Sequence, residues 1–153
     1  MGLKVVLVKA HQSLRNNEDV REEVSSVQSY LDQSISPIVE ERVVYIPLKA
    51  SYKHVTRKMV LQGVFATSIK KGIAGLSGNL EVYVENQNEK SAVSVVEFAF
   101  PPEFIGRLNE NECFIVHLEI PMEGLTKDSE FSTHEIKCNL SNCHVLVCQN
   151  KKV

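Results

Sequence analysis

Residues 80–86 read LEVYVEN, with apolar and polar side chains in strict alternation. Leu80, Val82 and Val84 fall on one face and Glu81, Tyr83 and Glu85 on the other, the period-two pattern of a half-buried strand. NQNEK (86–90) follows as a turn, and AVSVVEFAF (92–100) as the antiparallel partner of a hairpin. The alternation slips at Val95-Val96, which predicts a bulge there, and Pro101-Pro102 ends the strand.

The same texture extends outward. CFIVHLEI (113–120) alternates again, and PMEGLTKDSEF (121–131) reads as a long polar loop. Upstream, RVVYIPL (42–48) is a strand in which Pro47 marks an edge position or an end. Residues 51–62 fit a helix through Tyr52, Val55 and Met59 or a strand, and Gly63 with its β-branched neighbours favours strand from Met59 to Thr67. GIAGLSGN (72–79) reads as a flexible connection, since its glycine spacing matches neither the dinucleotide fingerprint nor the phosphate loop.

The first forty residues differ. Leu3 to Lys9 is a short valine-rich strand. Asn16 or Asn17 then caps a helix with Glu18 and Asp19 in its first turn and Val20, Val24, Val27 and Leu31 at helical spacing. Pro37 closes it by biasing Ser36 away from helical angles. The expectation is one α+β domain over 1–153: predominantly antiparallel β, a sandwich or partial barrel, with one N-terminal amphipathic helix.

Composition agrees with a packed domain: 43% of the 153 residues are hydrophobic and 24% charged, which excludes wholesale disorder. No apolar run approaches the roughly 18–20 residues of a membrane helix. The opening residues lack the basic leader and cleavage pattern of a secretory signal. Val6 stands where a myristoylation pattern needs Ser or Thr. Free cysteines without such a leader point to a reducing, cytoplasmic setting.

Three of those cysteines lie close together in KCNLSNCHVLVCQ (137–149). A hairpin with residues 139–142 as its loop places Ile136, Cys138, Cys143, Val145 and Val147 on one apolar face, as buried structural thiols. Cys143 and Cys148 then point to opposite sides, so four ligands do not converge on a metal. Cys113 and His117 share a face but stand about 13 Å apart along a strand, too far for a nucleophile and its base. No nucleophile elbow and no metalloprotease motif occurs. The expectation is a protein that is not an enzyme, with no metal and no cofactor; a catalytic centre assembled from dispersed histidines and cysteines is the competing reading.

Charge is the signal that stands out. Residues 42–80 hold seven of the 17 basic residues and none of the 19 acidic ones, although the whole chain carries only −2. Arg42, Lys49, Lys53, Arg57, Lys58, Lys70 and Lys71 therefore form a cationic segment over 42–71, with Tyr52 and His54 interleaved to stack on bases. Such a segment seeks a nucleic-acid backbone or an anionic lipid surface. Alternatively, acidic and basic faces meet between copies, giving a homo-oligomer or a complex with a protein partner, as in small structural or accessory proteins such as those of viruses. A third arrangement has the acidic helix 17–32 lying near the basic segment and balancing it within the chain.

Overall fold

The computed structural model describes residues 2–35, 38, 40–86 and 89–148. Eight strands among them form two sheets that curl into a half-barrel, with one long helix near the N-terminus. In chain order the elements are β1 (Lys4–Val5), α1 (Glu18–Ser34), β2 (Val43–Lys53), β3 (Lys58–Thr67), β4 (Ile73–Asn86), β5 (Glu89–Phe100), α2 (Pro102–Ile105), β6 (Glu112–Pro121), β7 (Ser129–Ser132) and β8 (Ile136–Val147). A five-stranded sheet runs β1-β6-β3-β2-β7, and a three-stranded sheet runs β5-β4-β8. The α+β expectation holds.

Alternation decides what each face of β3 buries. Met59, Leu61 and Phe65 face the three-stranded sheet and are fully buried. There Phe65 packs on Tyr45, Phe98 and Phe114 with ring centroids 4.8, 4.7 and 5.8 Å away. Val64 and Ala66 face the opposite way, into a second cluster with Val27 and Leu31 of α1. The layers are thus helix, sheet, sheet. Burying Val27 and Leu31 contributes about 1.5–3 kcal/mol each.

Helix α1 begins as its sequence requires: the Asn17 side chain accepts a hydrogen bond from the Val20 N–H at 3.1 Å. It is then tied to β1 through the Gln28 amide, which accepts from the Val5 N–H and donates to the Leu3 carbonyl, both at 2.8 Å. Ser36 and Pro37 lie outside the described residues.

Several local expectations change. The strand over Leu3–Lys9 shrinks to Lys4–Val5, pairing parallel with β6, and Lys9–Leu14 turns into 3₁₀ helix. Pro47 neither ends β2 nor makes it an edge strand: β2 lies between β3 and β7, and Pro47 sits at a register shift just before β7 begins to pair at Lys49. Its missing N–H falls where β2 has no strand on one side. Residues 51–62 are not helical; they are the end of β2, a turn and the start of β3. Residues 73–79 are not a connection but the first half of β4. The bulge expected at Val95-Val96 is absent. Register runs unbroken there, Val96 inward opposite Leu80 and Val95 outward opposite Glu81, and shifts instead between Val84 and Asn86. The loop over 121–131 buries Met122, Leu125 and Phe131 and contains β7. Within the expected turn at 86–90, residues 87 and 88 lie outside the described residues.

The largest correction concerns the cysteines. Residues 136–147 are one strand paired to β4, not a hairpin. Asn142 adopts a left-handed φ of 50°, and the register shifts at the same place. That shift divides the thiols: Cys113 is buried and Cys138 half-buried, but Cys143 is exposed.

Candidate polyanion-binding surface

The β2–β3 hairpin holds most of the cationic segment, and its geometry separates the charges into two poles. At the turn stand Lys53, Arg57 and Lys58, all exposed, with Arg57 in a left-handed conformation at φ 56°. Val55 at the apex is 96% exposed. At the other end stand Arg42, Lys70 and Lys71, also exposed. Ten residues of β3 lie between, so the poles are roughly 30 Å apart.

Each pole is tied down by hydrogen bonds between side chains and its backbone. The Asp128 carboxylate accepts the His54 N–H at 2.8 Å and holds the turn against the segment before β7. At the opposite pole the Ser68 hydroxyl accepts the Arg42 N–H at 3.0 Å and donates to the Glu40 carbonyl. The Glu41 carboxylate takes the Lys70 backbone N–H at 2.9 Å. Arg107, from the turn after α2, lies against Gly72: a Cβ at that glycine would meet the Arg107 Nε at 2.8 Å. Arg107 therefore joins Lys70 and Lys71. Sequence reading missed it because it lies outside the acid-free segment, and only the Gly72 contact brings it there.

Lys49 is separate from both poles. It shares a groove of about 460 Å³ with Asp19, Glu22 and Glu23 of α1. The acidic helix thus lies near one cation of the segment without an ion pair to it among the described residues. Glu23 instead accepts from the Gln62 amide at 2.5 Å and meets His117 Nε2 at 2.6 Å, bridging β3 and β6. Among the described residues, Lys58 is the one segment cation in an ion pair, with Glu119 at 3.1 Å.

The stacking residues are corrected. Tyr52 is 1% exposed, so its ring is unavailable to a base. Its hydroxyl lies 3.2 Å from His54 Nδ1. Tyr45 and Phe65 are buried as well. His54 alone remains at the surface.

Elsewhere the chemistry is quiet. Burial pushes the Cys113 and Cys138 thiols up to about 12, the Glu112 charge adding to the effect at Cys113. The Cys143 sulfur, partly covered although the residue is exposed, is raised as well. Thiols held protonated are poor nucleophiles. Among the described residues no three His, Cys, Asp or Glu side chains are placed to hold a metal ion. No helix among them is long and apolar enough to cross a membrane. The fold and surface define a small half-barrel of two sheets with a helix on one face and cations at both ends of its β2–β3 hairpin. Comparison with protein-family models, curated proteins and solved structures finds no match for this chain.

Proposed function

We propose that this is a non-enzymatic binding protein that engages a polyanion, nucleic acid before all others, through the cations at the poles of the β2–β3 hairpin. One observation carries the reading: all seven cations are exposed, and among the described residues only Lys58 is matched with a carboxylate. Exposed, unpaired cations lose little hydration on meeting phosphates and gain from released counterions. With Tyr52 buried, the hairpin offers only His54 for stacking, so contacts go to the backbone and carry no sequence preference. The pole of Arg42, Lys70 and Lys71, joined by Arg107, makes the stronger contact. Each pole has a carboxylate at its base, Glu41 at this one and Asp128 at the turn, but at the turn Lys58 is already paired.

The test compares two triple variants, K70E/K71E/R107E and K53E/R57E/K58E, for retention on heparin and on single-stranded RNA at low salt. The first is expected to weaken retention at least tenfold and the second less. Retention unchanged in both rejects the proposal. Binding to phosphatidylserine vesicles without binding to RNA would reassign the polyanion to lipid.

A further inference from the structure

We infer that the protein pairs with a second copy of itself through the free edge of β8, antiparallel over residues 143–147, joining two three-stranded sheets into one of six. The inference does not rest on polyanion binding.

β8 is bonded on one side only, to β4. Its first half belongs to the core: Ile136 is buried, and Cys138 and Leu140 pack against the same cluster. Past the left-handed Asn142 the strand keeps its pairing with β4 but loses its cover. Cys143, His144, Val145 and Leu146 are all exposed, so side chains of both faces meet solvent. Val145 is 36% and Leu146 55% exposed. An edge strand that stands alone in solution is normally short, charged or interrupted by proline. β1 and β7 meet that need with two and four residues. β8 has twelve, and residues 138–148 contain no Asp, Glu, Lys, Arg or Pro. The bulge at Asn142 is its one guard, and it confines pairing to the residues beyond.

Charge selects a second copy as the occupant. A segment without formal charge can face itself with no like charges opposed. Self-pairing through β5, the other edge, would oppose copies of Glu97, and the Ser94 hydroxyl already bonds the Pro121 carbonyl of β6 at 3.0 Å. A two-fold antiparallel pairing of β8 is self-complementary and closes on itself. It also lays Val145 of each copy against the other and Leu146 against His144. Five residues a side make a seam well below the roughly 1,200–2,000 Å² of a stable interface, so the dimer forms at high protein concentration.

Sedimentation at rising concentration, in low and high salt, tests this. The wild-type mass is expected to climb toward twice the protomer in both salts. V145K/L146K should stay monomeric with unchanged circular dichroism and melting, while V93K/V95K, altered on the outer face of β5, should dimerise like wild type. A wild type that is monomeric throughout overturns the inference, as does a dimer that V145K/L146K retains. Dissociation by salt alone would assign assembly to opposed charges and overturn it too. If V145K/L146K misfolds, amide exchange of wild type decides: slowing at residues 143–147 with concentration supports the seam, and concentration-independent exchange rejects it.

Discussion

The five-stranded sheet is packed on one face by the other sheet and over much of the second by α1, and is bounded by strands of two and four residues, whereas the three-stranded sheet leaves one face bare and ends in two strands of twelve. Helix α1 and the aromatic layer explain the first; nothing among the described residues covers Val93, Val95 or Leu146 on the second. The contrast separates the part of the molecule that holds the fold from the part free to meet partners. It also locates where substitutions should be costly.

The largest effect belongs to the layer between the sheets. Phe65 is fully buried and its ring touches four other aromatic side chains. Phe65→Ala is expected to cost about 3–5 kcal/mol in urea denaturation. A loss below about 1 kcal/mol would mean that the aromatic layer does not hold the sheets together.

Next comes the join between helix and sheet. Glu23→Ala removes the acceptor of the Gln62 amide, a group only 9% exposed. Leaving it unpaired is expected to cost about 1–3 kcal/mol and to speed amide exchange in α1. Glu22→Ala, on the exposed side of the same turn, should stay within about 0.5 kcal/mol. Equal costs at the two positions would show that α1 is held by its apolar face alone.

Legibility in the sequence followed the same division. LEVYVEN was readable because it buries one face, CFIVHLEI because its polar residues His117 and Glu119 alternate with apolar ones although both of its faces are packed, and the helix because Asn17 and its valines lie at cap and period. β4 between 73 and 79 was not, because its glycines mimic a loop while serving close approach: a Cβ at Gly78 would lie 3.1 Å from the Cys143 Cα. β8 was misread as a hairpin because Asn139 to Asn142 has turn composition, yet only Asn142 uses it. The cationic segment was legible as composition. Its division into poles was not, because a hairpin brings residues remote in sequence, Arg42 and Lys70, to one end and leaves Lys53, Arg57 and Lys58 at the other. Arg107 became visible only through the contact at Gly72.

A smaller effect tests the packing behind β8. Tyr45 lies over Gly63, where a Cβ would fall 2.2 Å from its hydroxyl oxygen, and that hydroxyl has no hydrogen-bond partner. Tyr45→Phe is expected to raise stability by about 1 kcal/mol. Two thiols supply a pH signature, Cys138 in the same cluster as Tyr45 and Cys113 in the cluster under α1. Cys113 and Cys138 are pushed up to about 12 in the folded chain from an ordinary value of 9.0, so the unfolded state releases their protons first as pH rises. Their contribution is complete below about pH 9 and is lost as pH climbs toward 12, with a slope near 1.4 kcal/mol per pH unit per thiol. Denaturation at pH 7 and pH 10 should show the decline, and Cys138→Ala should remove about half of it, leaving the share of Cys113. A profile level to pH 10 would mean water reaches the inner face of β8.

The smallest effect bears on the bare face itself. Val95 is 61% exposed opposite Glu81 on β4, and Val93 is 52% exposed opposite Tyr83. Threonine keeps the β-branch that suits a strand, so V93T/V95T changes the outer surface without changing backbone preference. If that face meets only water, denaturation in dilute solution should shift by no more than about 0.5 kcal/mol. A loss above about 1 kcal/mol that grows with protein concentration would mean that a second molecule covers these valines. The three-stranded sheet would then have no bare face, and the seam between copies would lie on that face instead of at β8.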